Sequence, residues 1–193
     1  TNVPLAKIAA QLSVGQKLKN YNLLKWDSIN HVSIKEAVLP FNKFPAESIF
    51  LSPEMKSTGE VMGISENFGL SFYKATLSAG IKLPESGFVF ISVNNEDKFK
   101  IISIARAFKE LGFNIVATEG TAKELIKNGM SAETVYKAGE GRPNIVDRIK
   151  NNEIDLVINT PLGAQSRYDE EAIGKACIQK SIMAITTLSA ADA

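Results

Sequence analysis

The sequence predicts an α/β fold: a five-stranded, mostly parallel sheet with helices on both faces, preceded by an irregular, α-rich segment. Three observations carry this reading. Strand-like and helix-like segments alternate from residue 87 onward. The first of these strands, Phe88-Val89-Phe90-Ile91-Ser92-Val93, is an almost continuous apolar run, the pattern of a strand covered on both faces. Gly112 and Gly129 then stand where helices should stop.

The elements follow in order. Pro4 to Leu12 suggests a short helix with proline near its start. Ser33 to Leu39 reads as a strand ending at Pro40, and Phe41 to Ser57, with Pro45 and Pro53, reads as loop. Phe68 to Ala79 is helical in pattern, with Phe68, Phe72, Ala75 and Ala79 on one stripe and Gly80 as its stop. After the 87–93 strand, Asn94 or Asn95 can cap a helix over Glu96 to Leu111, with Phe99, Ile102, Ala105 and Phe108 as its apolar stripe. Phe113 to Thr118 is the second strand and Ala122 to Asn128 a short helix. Thr134 to Tyr136, Asp155 to Asn159 and Ser181 to Thr186 complete the strands, with helices over Ile145 to Asn151 and Glu170 to Gln179 between them. Ser189 to Ala193 starts a last helix. The expected division is residues 1–80 as one unit, an incomplete one, and 81–193 as the α/β domain.

Composition narrows the function classes. Of 193 residues, 45% are hydrophobic and 22% charged, enough apolar surface for a packed core. Basic and acidic residues balance at 22 and 21, so no excess of positive charge marks a nucleic-acid binder. No apolar run approaches the roughly 20 residues of a membrane helix. Cys177 is the only cysteine, which excludes an internal disulfide and a cysteine-built zinc site and fits a reducing, cytoplasmic setting. His31 is the only histidine, which argues against any mechanism using two of them. The chain opens Thr1-Asn2-Val3-Pro4, with no initiator Met and no signal-like segment, and is expected to be part of a larger protein.

Ligands of open α/β sheets bind beyond the carboxyl ends of the strands. Here those ends carry Lys98, then Thr118-Glu119-Gly120-Thr121, then Lys137 and the 139–144 loop Gly-Glu-Gly-Arg-Pro-Asn, then Asn159-Thr160. Singly, each is an ordinary solvated lysine or capping threonine. Together, donors converging from four of five strand ends describe a pocket for a phosphate or carboxylate, with free amides at a helix N-terminus beside Gly120. The inventory is rich in donors and poor in bases, so it suggests binding without chemistry. No phosphate-loop motif is present, and Gly139 to Asn144 departs from the dinucleotide fingerprint at Pro143 and Asn144. Cys177, between Ala176 and Ile178, reads as a core residue.

These residues resemble a known family. Leu39 to Pro45 and Pro53 to Gly63 are similar to the end of the second ATP-grasp unit of the carbamoyl phosphate synthetase large subunit. Thr118-Glu119-Gly120-Thr121, Glu140 to Asn144 and Asn159-Thr160 resemble its C-terminal regulatory domain, which has a methylglyoxal synthase-like fold. The resemblance implies an allosteric region that tunes ATP-dependent carbamoyl phosphate synthesis for pyrimidine and arginine formation. It implies a nucleotide effector, UMP or IMP, held by Lys98, Thr118, Thr121, Lys137, Asn159 and Thr160, and an ornithine site at the seam using Glu60 and Thr186. It implies no catalytic or metal-binding residue and no cofactor in this stretch, with ATP and Mg bound upstream. It also implies a glutaminase small subunit and further copies of the chain as partners.

Three departures bear on the effector: the first weakens the case for ornithine activation, the second removes one hydroxyl, and the third favours a nucleotide. Ala184 stands where enteric relatives carry Tyr at the ornithine site. Pro161 replaces a second Thr after Asn159-Thr160. Lys137 stands where N-acetylglutamate-binding relatives have an aromatic. Two other readings are a methylglyoxal synthase-like lyase and an oligomerisation domain. The lyase needs a carboxylate base and a histidine in the pocket, and the Gly139–Asn144 loop offers neither an Asp nor a His.

Overall fold

A computed structural model describes residues 3–21, 30–38, 59–162 and 167–193. The Phe41 to Ser57 loop, the Leu39 to Pro45 resemblance motif and the part of the Pro53 to Gly63 motif before Gly59 lie outside the described residues.

The first part contains helix α1 (Leu5–Ser13), a single 3-10 turn (Leu18–Asn20), strands β1 (Val32–Val38) and β2 (Gly59–Ser65), and helix α2 (Phe68–Ser78). Strand β2 is absent from the sequence-based expectation. It pairs antiparallel with β1, from Val32 opposite Ser65 to Val38 opposite Gly59. Helix α2 starts at Asn67, whose side chain accepts from the Leu70 amide at 2.8 Å. Its inward face is Ser71, Ala75 and Thr76, so of the expected stripe Ala75 is buried while Phe68 is not. The reason is close approach: a Cβ at Gly63 of β2 would strike the Ser71 carbonyl and the Ala75 amide. Only small residues fit there, so Phe68 is 53% exposed and stacks on Phe72.

The second part is the expected five-stranded sheet, and every pairing in it is parallel. Its strands are β3 (Phe88–Val93), β4 (Asn114–Thr118), β5 (Glu133–Val135), β6 (Leu156–Thr160) and β7 (Met183–Ile185), in spatial order β5-β4-β3-β6-β7. Helices α3 (Ile101–Glu110), α4 (Glu119–Lys127) and α7 (Leu188–Asp192) cover one face. Helices α5 (Ile145–Lys150) and α6 (Arg167–Lys180) cover the other. Alternate residues of β3 enter the two cores: Val89, Ile91 and Val93 one, Phe90 the other. Each buried Ile or Phe contributes about 1.5–3 kcal/mol relative to exposure. Cys177 is buried with Ile145 and Ile149, and burial pushes its thiol up to about 12.

Helix α3 corrects the sequence reading. Residues 95–100 form turns, and the i→i−4 ladder begins with the Ile101 amide donating to the Asp97 carbonyl at 3.0 Å. This phase buries Ile101, Ile104 and Ala105 and leaves Phe99 83% exposed. At the opposite, amino edge of the sheet, Asp155 accepts from the Phe88 amide at 2.7 Å. Gly87 beside it has φ +116° and no room for a Cβ against that carboxylate.

Candidate functional site

The order β5-β4-β3-β6-β7 places the topological switch between β3 and β6. Chain leaving β3 goes one way, to β4, and chain leaving β6 goes the other, to β7. The loops diverge and open a crevice at the carboxyl ends. A cleft of about 590 Å³ lies there. Lys98, Thr118, Thr121, Lys137, Asn159 and Thr160, all expected from the sequence, line it together.

Helix α4 supplies one end of the cleft. Its N-cap residue Thr118 has extended backbone, but its side chain caps no amide. The hydroxyl instead lies 3.3 Å from Ser92 Oγ and 3.4 Å from Thr121 Oγ1. Thr121 Oγ1 also accepts from the Val93 amide at 3.3 Å, and among the described residues no acceptor is recorded for its own proton. Lys98 reaches the same spot: a Cβ built on Gly120 would lie 3.2 Å from Lys98 Nζ. Among the described residues Lys98 has no ion-pair partner. A lysine ammonium beside the positive end of a helix is unfavourable until an anion joins them. This end therefore has uncapped amides, a hydroxyl proton and a cation, the donor set of an anion site.

Lys137 lines the cleft from the loop after β5 and lies 3.8 Å from Glu140. Asn159 and Thr160, at the end of β6, are nearly buried. Thr160 belongs to a cluster the sequence does not announce. Its hydroxyl donates to Asp97 Oδ2 at 2.8 Å. Asn94 Nδ2 donates to the same Asp97 oxygen at 2.8 Å and to the Thr160 carbonyl at 3.1 Å. Asn94 Oδ1 accepts from the Glu96 and Asp97 amides at 2.8 and 3.1 Å. Asn94 thus caps the turns at 95–100 and not a helix: α3 has Lys100 at its N-cap position and no side-chain cap, which corrects the helix cap expected of Asn94 or Asn95. In the sequence, Asp97 reads only as a first-turn helix acid. Its partner is 63 residues away, so no local signal reveals the contact. Asp169 also reaches the cleft, whereas His31 does not line it.

Glu60 and Thr186 are not brought into this cleft. Glu60 lies on an exposed position of β2, paired with Lys35 at 2.8 Å. Thr186 is exposed just beyond β7. No hydrogen bond or ion pair among the described residues joins the two. Among the described residues no group of three or more His, Cys, Asp and Glu could hold a metal ion. Among them, too, no helix is long and apolar enough to cross a membrane.

Known proteins resemble this chain over its whole length. Residues 100–186 match the family model of the MGS-like domain. The carbamoyl phosphate synthase large chain of Acidobacterium capsulatum is 52% identical across 100% of this chain, which spans 18% of that relative. The carbamoyl phosphate synthase large chain, C-terminal section, of Aquifex aeolicus is 46% identical across 97% of this chain and 38% of its own length. Among solved structures, methylglyoxal synthase from Elizabethkingia anophelis NUHP1 matches with TM-score 0.48 and 18% identity, covering 57% of this chain and 77% of that one. The chain belongs with the C-terminal regions of carbamoyl phosphate synthase large chains and carries an MGS-like domain.

Proposed function

We propose that this region is the allosteric part of a carbamoyl phosphate synthase large chain and that the switch-point cleft binds a nucleoside monophosphate, UMP or IMP. The observation that carries the reading is the meeting of Lys98, the uncapped α4 amides and the Thr121 proton at one end of the cleft. A phosphate fits that end. The nucleoside lies toward Lys137, Asn159 and Thr160. The effector acts by binding one state of the enzyme better than another. The region makes no carbamoyl phosphate itself. ATP and Mg are held by the upstream part of the whole enzyme, which is cytoplasmic, serves pyrimidine and arginine formation, and works with a glutaminase subunit and further copies of itself.

Ornithine takes second place, because Glu60 is engaged by Lys35 and has no described bond to Thr186. Retention of the full effector response after Glu60→Ala in the whole enzyme would remove that site. A lyase reading lacks a histidine in the cleft lining.

The test is thermal melting of the full chain with UMP, IMP, inorganic phosphate, ornithine and N-acetylglutamate, each alone. A ligand at 100 times its Kd stabilises the fold by about 2.7 kcal/mol. The expected result is a shift with UMP or IMP that vanishes in Lys137→Ala. No shift with either nucleotide, or one that survives Lys98→Ala and Lys137→Ala unchanged, refutes the reading.

A further inference from the structure

The two ends of the cleft differ in hydrogen-bond polarity, and Asp97 makes the difference. A threonine hydroxyl has one proton to give and two lone pairs to receive with. Thr121 receives the Val93 amide, and among the described residues no acceptor is recorded for its proton. Thr160 is reversed: Asp97 Oδ2 takes its proton at 2.8 Å, and Asn94 Nδ2 approaches its oxygen at 3.3 Å. Toward anything in the cleft, Thr160 can only accept.

We infer that Asp97 is a positioning residue that sets ligand specificity: by taking the Thr160 proton it makes the Thr160 hydroxyl acceptor-only. The Thr160 oxygen then receives a hydroxyl or N–H of the bound nucleoside and has no proton to give a phosphate oxygen. The inference rests on the nucleoside monophosphate reading above. Two further observations support it. The Asp97 carboxylate is itself an anion at this end, so phosphate there would meet like charge. Asn94 holds the arrangement rigidly, because its side chain bonds Asp97 at both its carboxylate and its amide, and bonds the Thr160 carbonyl as well. The cluster thereby fixes the carboxyl ends of β3 and β6 relative to each other and orients the Thr160 hydroxyl.

The deciding experiment is isothermal titration of the full chain with UMP and, separately, with inorganic phosphate. Asp97→Ala is expected to weaken UMP about tenfold, the loss of one oriented hydrogen bond, and to leave phosphate unweakened. Asp97→Asn restores UMP binding to within about threefold of the parent, because the amide oxygen still accepts the Thr160 proton. Equal losses for UMP and phosphate in Asp97→Ala overturn the inference, since they mark general damage to the cleft. So does an unchanged UMP affinity. If melting shows that Asp97→Ala does not fold, Thr160→Val decides in its place. It leaves the Asn94–Asp97 bond intact, so a loss confined to UMP supports the inference and an equal or absent loss overturns it. A parent chain that binds neither probe overturns the nucleotide reading too, whereas binding followed by a non-selective loss overturns only the role of Asp97.

Discussion

Two helices start at the same edge of the sheet and treat their first amides in opposite ways. At α5, Asn144 Oδ1 accepts from the Val146 and Asp147 amides at 3.0 and 3.1 Å, and Asp147 Oδ2 accepts from the Asn144 amide at 3.0 Å. This reciprocal cap satisfies the helix from within. At α4 the residue in the cap position is also a good capper, Thr118, yet its hydroxyl turns toward Ser92 and Thr121. The amides stay open, and Lys98 lies against them. One helix start stabilises the fold. The other leaves its hydrogen-bonding capacity for a ligand. The contrast shows that cap residues alone do not decide whether a helix N-terminus is a structural end or a binding end. What decides is where the capping oxygen is drawn by its tertiary neighbours.

Four measurements put this contrast at risk, in descending order of effect. Lys98→Ala should weaken phosphate and UMP binding by at least about tenfold, the scale of a lost charge-assisted contact, while stability stays within roughly 0.5 kcal/mol. Titration together with urea unfolding checks both halves. Asn144→Ala should do the reverse: lose about 1 kcal/mol of stability and leave phosphate affinity unchanged. If the two variants move the same observable, α4 and α5 do not divide the labour.

A third measurement probes the division through Cys177, which packs with Ile145 and Ile149 of α5. Burial raises its thiol pKa to about 12, so the native protein should resist alkylation at pH 8, where the thiol stays protonated. Asn144→Ala should speed labelling by loosening α5, and Lys98→Ala should not. Rapid labelling of the unaltered chain would contradict the packing.

The fourth and weakest effect concerns Glu119 in the first turn of α4. Its hydrogen bond from Lys123, and the charge of that lysine, hold its carboxyl below the ordinary 4.5. A lowered folded value stabilises the protein above the unfolded pKa and ceases to do so as pH falls through the folded one. Glu119→Gln should therefore cost a little at pH 7 and nothing once pH falls below the lowered value. Chemical unfolding at both pH values checks the sign.

Much of the fold and of the cleft is legible in the residue order. β3, β4 and β6 announce themselves as apolar runs because strands covered on both faces must be apolar throughout. The six cleft residues are legible because ligand groups gather at strand carboxyl ends, and those ends follow once the strands are known. β2 is not, because Gly59 and Gly63 interrupt its pattern and Met62 and Ile64 face outward. Most of the inner face of α2 escapes the helical periodicity because the demand for small residues comes from Gly63 on another element. Phe99 falls outside the buried stripe that periodicity assigns it because α3 starts later than its acidic residues suggest.

Residue order alone is enough for the five strands of the sheet, the helices that alternate with them, and the set of polar groups at one edge. These follow from hydrophobic periodicity and turn chemistry, which act over a few residues. How those polar groups are used is settled only in three dimensions. Whether Thr118 caps its helix, whether Thr160 gives or receives a proton, and whether Asp97 faces solvent or β6 depend on partners 26 to 63 residues distant. Hydrogen-bond direction belongs to pairs of atoms, and only the folded chain brings those pairs together.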